Sequence, residues 1–319
     1  MQLPTRQEIE LVAAEIDSVI PPTPQYSWPL LNARAGCELW VKHENHTAIG
    51  SFKIRGAVCY IRRLTERAPR SPGVIAATRG NFGQAVAFAA AHHRLRSTIV
   101  VPHGNSPDKN RAIRALGAEL IEEGDDFQAA LIKADALAGK LGLHSMPSFH
   151  RDLVLGNSVS MLRFLRSVPA LEAAYVPIGL GSGICALMAA RDALGLPTRI
   201  VGVASALAPA IALSFEADRL VTHPATTRIA DGMACSTPDP DALEQILRGV
   251  DRVVTVSDAE VEAAMRACFL DTHNVIEGAG AAGMAALLRE REAVAGRRVG
   301  VVFSGGNVDA ETFARILSA

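Results

Sequence analysis

Gly73-Val-Ile-Ala-Ala-Thr78, followed by Arg79-Gly-Asn-Phe-Gly-Gln84 and the alanine-rich stretch to His92, decides the fold. A short apolar run reads as a buried strand, the glycine-bracketed polar residues as a turn, and Gln84–His92 as a helix. The same order continues downstream. Ser97–Pro102 reads as a strand before a helix at Lys109–Leu116, and Ala118–Glu122 as a strand before a helix at Asp126–Leu141. Upstream, Glu38–Lys42 is a further strand. A second series runs from strand Ala174–Ile178 through Gly179–Gly183 into helix Cys185–Leu194. It adds strands Arg199–Val203, Arg252–Val256 and Arg298–Phe303, with helices Asp258–Phe269 and Gly280–Val294. Such alternation is the pattern of βαβ units. It predicts an α/β chain of two open, mostly parallel lobes, with residues 143–150 crossing between them. Ligands of such sheets bind beyond the carboxyl ends of the strands, so the chemistry belongs in the loops after them.

Composition fits an ordinary soluble globular protein. The 319 residues are 49% hydrophobic and 20% charged, with a net charge of −1. That excludes a disordered chain and a global field that would attract nucleic acid or an anionic membrane. The five cysteines form no C-x-x-C pair and are odd in number, which argues against a disulfide framework or zinc site and for a reducing compartment. The N-terminus lacks an apolar signal core. The longest uncharged run, Ala173–Ala190, is broken by Pro177, Gly179, Gly181 and Gly183. A cytoplasmic location, without membrane or nucleic-acid partners, is expected.

Four loops stand out. Gly50-Ser51-Phe52-Lys53 opens a helix, and Lys53 is flanked by Ala48, Ile49 and Ile54. An amine stripped of water is a better nucleophile and Schiff-base former. Lysine is scarce here: Lys42 falls in a strand pattern, and Lys109, Lys133 and Lys140 fall on polar helix faces, where the ordinary expectation is solvation. Thr78–Gln84 offers backbone N–H groups at a helix start, suited to a carboxylate or phosphate, although an ordinary βα turn has the same look. Gly179-Leu-Gly-Ser-Gly183 repeats the arrangement with three glycines. It is not a dinucleotide fingerprint, because Ile184 stands where the third glycine belongs and no acidic residue lies between Arg199 and Phe215. Ser304-Gly-Gly-Asn307 sets a hydroxyl at a strand end. A lysine, two anion-binding turns and a hydroxyl suit a cofactor bearing an aldehyde, a phosphate and a pyridine nitrogen, which is pyridoxal 5′-phosphate.

The chain resembles the fold-type II pyridoxal-phosphate enzymes (the tryptophan synthase β-like fold), and within them the serine/threonine dehydratases. The likeness rests on Glu44-Asn45 with Gly50–Gly56, Gly80-Asn81 with Gly83-Gln84, Gly179–Gly183, Ala230-Asp-Gly232, Glu277–Gly280 and Ser304–Asn307, in that order. Ala204–Phe215, Asp231–Cys235 and Asp271–Asn274 look most like the hydroxyectoine-utilisation and threo-3-hydroxyaspartate dehydratase-like subgroup. The resemblance implies that Lys53 carries the cofactor covalently and removes the substrate Cα proton. It implies that Asn81 meets the ring hydroxyl, Ser304 the pyridine nitrogen, and Gly179, Leu180, Gly181, Ser182 and Gly183 the phosphate. Phe52 and Glu277 would be further cofactor contacts. Ser51, Thr78, Arg79, Gly80 and Gln84 would lie on the substrate side. A large cofactor-binding domain (1–45 with 146–319), a small substrate-side domain (46–145) and a homodimer are also implied.

Three features depart from the family pattern. Arg79 replaces a small residue. It stays protonated and so is a poor acid or base; it either points to solvent or pairs with a second acidic group on the substrate. Phe82 replaces a common histidine. Metal-dependent relatives place carboxylates where this chain has Ala204 and Ala210, so no metal site is expected. Only a short stretch follows Ser304, so feedback through an added regulatory domain is not expected. The expected activity is α,β-elimination from a β-hydroxy-α-amino acid of the threonine/serine class (possible substrates include 3-hydroxyaspartate), giving a 2-oxo acid and ammonia as an ammonia-lyase does. The alternatives are β-elimination or β-replacement on another amino acid, such as phenylserine or one derived from hydroxyectoine, and an inactive ligand-binding homologue.

Overall fold

The computed structural model describes residues 1–168 and 170–319. β1 (Gln25–Ser27) and β2 (Glu38–His43) come first. β3 (Gly73–Ala77), β4 (Arg96–Val101), β5 (Glu119–Glu122) and β6 (His144–Ser145) form a parallel four-stranded sheet in the order β5-β4-β3-β6. β7 (Ala173–Pro177), β8 (Arg199–Ser205), β9 (Arg252–Val256) and β10 (Arg298–Phe303) join the first two in a six-stranded sheet, β1-β2-β10-β7-β8-β9. Among the described residues, only β1 runs antiparallel to its neighbour. β10 sits centrally, with Val301 opposite Val41 on one side and Tyr175 on the other. The two open parallel sheets expected from the sequence are both present.

Helix starts carry the main differences. The helices after β3 and β7 run Asn81–His92 and Ser182–Leu194, so both begin inside the glycine-rich turns. Apolar periodicity registers only where core-facing residues recur, whereas the first turn tolerates polar residues because its N–H groups have no intrahelical partners. The helix expected to run to Val294 spans Gly278–Arg289. Helices at Arg6–Val19, closed by a Thr5–Glu8 capping box, and at Arg151–Ser167 are additions to the sequence reading.

The Arg151–Ser167 helix sits between the lobes. It follows the 143–150 crossing, where the Met146 N–H donates to the Ile75 carbonyl at 2.8 Å. Leu153, Val154, Leu155, Val159, Leu162 and Phe164 are buried around its circumference. One continuous apolar core joins Val154 to Ile54 and Val58 on the Lys53–Arg67 helix and to Leu187 on Ser182–Leu194. Full burial of such side chains stabilises by about 1.5–3 kcal/mol each. The Gly56 N–H donates to Asn157 Oδ1 at 2.9 Å, which fixes the Lys53 helix against the central one.

Candidate active site

The carboxyl ends of β3, β7 and β10 deliver their turns to one cavity of about 450 Å³. Its wall contains Ser51, Phe52, Lys53, Thr78, Arg79, Gly80, Asn81, the whole run Gly179–Gly183, Glu277 and Ser304. Gln84 is absent from the wall. It lies in the first turn of Asn81–His92, buried, with Nε2 lacking a hydrogen-bond partner.

Lys53 is half-buried at the start of its helix. Its position is fixed through the neighbouring backbone. The Phe52 N–H donates to the Ser304 carbonyl at 3.1 Å, the Gly306 N–H donates to the Gly50 carbonyl at 2.9 Å, and Ser51 forms a bridge with Gly305. The lysine turn and the Ser304 turn are therefore one piece of backbone structure.

The Gly179–Gly183 turn is shaped for close approach. Gly181 has φ +104°, a conformation that favours glycine, and a Cβ on Gly179 would fall 2.5 Å from the Gly232 carbonyl oxygen. Gly181 is the N-cap of Ser182–Leu194, and no side chain caps that end. Its first N–H groups and positive dipole end face the cavity wall, an arrangement that favours a phosphate.

Polar atoms in this region lack partners. Ser51 Oγ and Glu277 Oε2 are buried and form no hydrogen bonds. Buried polar groups are normally satisfied, so these atoms fit a bound polar group. With the glycine cradle and the lysine amine, the donor set suits pyridoxal phosphate.

The structure corrects one sequence reading. Lys109, expected on a solvated helix face, is buried in the cavity wall, with Nζ 2.5 Å from Asp231 Oδ2 and 3.6 Å from Glu277 Oε2. The turn at Asp108–Arg111 looked polar, yet Lys109 shares a face with the buried Ile113 four residues on, and that spacing was the available signal. Burial works against the Lys109 charge, but Asp231 and Glu277 overcome it and hold the ammonium above the ordinary lysine range. Glu277 is pushed above the ordinary carboxylate range by burial against the pull of Lys109, with Asp231 adding to the push. Its Oε1 accepts from Asn81 Nδ2 at 2.6 Å, and Asn81 Oδ1 accepts from Asn307 Nδ2 at 2.8 Å. Asp231, Asn307 and Cys235 complete this region. The Cys235 thiol is pushed up to about 11 by burial, which leaves it little nucleophilic character.

Arg79 lines the rim, is exposed, and has no hydrogen bond or ion pair among the described residues. Phe82 is buried at the wall. Ala204 and Ala210 are buried methyl groups. Among the described residues, no cluster of His, Cys, Asp or Glu is arranged to hold a metal ion. No described helix is long and apolar enough to cross a membrane.

Two open, mostly parallel sheets, with a lysine and a glycine-rich turn in one cavity wall beyond the carboxyl ends of their strands, define the class as an α/β cofactor enzyme. The family model described as "Pyridoxal-phosphate dependent enzyme" matches residues 16–305, and the chain belongs to that family. It is 32% identical to a protein of Thermotoga maritima named L-threonine ammonia-lyase, over 98% of this chain and 78% of that one. It is 30% identical to a Saccharomyces cerevisiae protein named L-threo-3-hydroxyaspartate ammonia-lyase, over 100% of this chain and 98% of that one. The structure of the processed form of threonine deaminase isoform 2 from Solanum lycopersicum superposes with a TM-score of 0.90 at 25% identity. That match covers 98% of this chain and 92% of the other. The fold is that of the fold-type II pyridoxal-phosphate enzymes.

Proposed function

We propose that this chain is a pyridoxal-phosphate-dependent ammonia-lyase that converts a β-hydroxy-α-amino acid to a 2-oxo acid and ammonia. The observation that carries this reading is the position of Lys53, in one cavity wall with the uncapped helix end at Gly181–Gly183 and the turn at Thr78–Asn81. The names of the Thermotoga and yeast relatives support the same chemistry.

When bound, the cofactor supplies an electron sink for the pair left by Cα–H cleavage. The Lys53 amine anchors it and takes the Cα proton. The N–H groups of Gly179–Gly183 and the Ser182 hydroxyl hold the phosphate. Ser304 accepts or donates at the pyridine nitrogen and Asn81 at the ring hydroxyl, with Phe52, Leu180 and Glu277 close by. Thr78 and Gly80, with Ser51, orient the substrate carboxylate. Loss of the β-hydroxyl as water gives an enamine. Its hydrolysis consumes one water and yields the 2-oxo acid and ammonium, so the net reaction neither gains nor loses water.

The unpaired Arg79 guanidinium selects a substrate with a second carboxylate, such as threo-3-hydroxyaspartate. The domain division at 45/46 and 145/146 puts the 78–84 turn and the phosphate cradle in different domains; the turn around Lys53, although within 46–145, is tied by its backbone to the Ser304 turn of the large domain. A cytoplasmic homodimer without nucleic-acid or membrane partners completes the reading; the balanced charge supports the absence of such partners and the free cysteines the reducing location, while the homodimer rests on the family resemblance alone.

The test is 2-oxo acid release from serine, threonine, threo-3-hydroxyaspartate and phenylserine, with borohydride trapping and peptide mapping of the labelled lysine. Label on a lysine other than Lys53, or keto acid formed from none of these substrates, overturns the assignment. Arg79→Ala should cost about 10–100-fold in kcat/KM on hydroxyaspartate and much less on serine. Equal losses remove the second-carboxylate role.

A further inference from the structure

We propose that Lys109 is a positioning residue that makes closure of the two lobes possible by supplying the counter-charge for acids that closure buries. The lysine lies on the Pro107–Ala115 helix beside the four-stranded sheet, whereas Asp231 and Glu277 belong to segments packed on the six-stranded one. Its Nζ reaches across the cleft to both, at 2.5 and 3.6 Å. The stem is fitted to the substrate turn, since a Cβ on Gly80 would fall 2.5 Å from Lys109 Cδ.

Other contacts cross at the same place. Asn81 donates to Glu277, Asn307 donates to Asn81, and the Ser106 hydroxyl donates to Asp309 at 2.5 Å. Among these crossings Lys109 supplies the positive charge. The groups facing it are Asp231, Glu277 and Asp309, and those facing Glu277 are Lys109, Asp231 and Lys53. Parting the lobes would let water solvate both carboxylates. Bringing them together replaces that water with one ammonium. Without the ammonium, closure strands buried charge, which is strongly unfavourable, and the closed population falls.

Lys109→Met keeps the stem over Gly80 and deletes the charge. Hydrogen exchange on the cofactor-loaded, substrate-free protein should show the amides of 79–83 and 231–235 exchanging at least about tenfold faster than in the parent, because the open population rises. Substrate KM should rise by about tenfold or more, with kcat changed far less, because saturating substrate restores closure. The triple variant Lys109→Met/Asp231→Asn/Glu277→Gln removes the ammonium together with both carboxylates it pairs, leaving Asp309 with its own bond from Ser106, and should return the exchange toward the parent rate; a purely steric role for Lys109 would not be rescued this way. Parental exchange in Lys109→Met overturns the proposal. So does a fall in kcat at unchanged KM, or a triple variant as open as the single one. If Lys109→Met does not fold, Lys109→Gln deletes the same charge on a polar stem and should speed exchange to a similar extent, and parental rates there are equally fatal. The exchange measurement needs no substrate, so its failure is separate from failure of the ammonia-lyase reading on which the KM arm rests.

Discussion

Two buried charge clusters lie on either side of the Lys53 helix start, and they are built differently. Beneath β2, Glu44 is fully buried. It accepts from Thr23 at 2.5 Å and Arg55 Nε at 3.0 Å, and also from Ser160, with Lys42 Nζ 4.0 Å away. Arg55 donates further to the Ile20 and Pro21 carbonyls, and Lys42 to the Thr23 carbonyl. Burial raises the Glu44 carboxyl, yet Arg55, Lys42 and the two hydroxyls together hold it below its ordinary range. In the cleft, Glu277 has one oxygen bonded to Asn81 and one without a hydrogen bond, and it is pushed the other way. A closed network stabilises the fold, whereas an incomplete one keeps bonding capacity for a ligand. The direction of the carboxyl shift separates the two.

The comparison can be broken in three places. The largest expected effect is at Lys53. Lys53→Ala should lower 2-oxo acid formation at least about a thousandfold while leaving the thermal midpoint nearly unchanged; a large fall in midpoint would move this lysine from the incomplete class to the structural one. Next comes Arg55→Met, which leaves Glu44 buried against Lys42 alone. It should destabilise by about 3–5 kcal/mol in urea titrations, and a loss below about 1 kcal/mol would show that the Glu44 cluster is not closed by charge. Third is His43, fully buried beside Glu44 and held down to about 4 by burial first and the neighbouring His46 second. The folded chain binds fewer protons at this ring than the unfolded chain does. Stability should therefore be full above about pH 6.5 and fall by about 3 kcal/mol as pH drops to about 4. His43→Gln should flatten that acid limb, and an unchanged limb would assign the acid sensitivity to other groups.

Much of the site was legible because βα turns announce themselves locally. Gly179–Gly183, Thr78–Asn81 and Ser304 each follow an apolar run, so position along the chain implied position in the cleft. Lys53 was legible through its apolar flanks. Lys109 was not, because the acids that hold it come from residues 231 and 277, and no local pattern records a pairing across that separation. Ser160 and Thr23 around Glu44 were hidden for the same reason. The Arg151–Ser167 helix escaped for another. It is buried nearly all round, so it lacks the one-sided apolar stripe by which a helix is read. β6, two residues long, is too short for alternation to register.

The backbone tie between Phe52 and Ser304 has a consequence for turnover. It makes the Lys53 turn travel with β10 and the six-stranded sheet, while the Thr78–Asn81 turn travels with β3. Breathing of one sheet against the other would shift the Thr78–Asn81 turn relative to the Lys53 and Ser304 turns, which stay together.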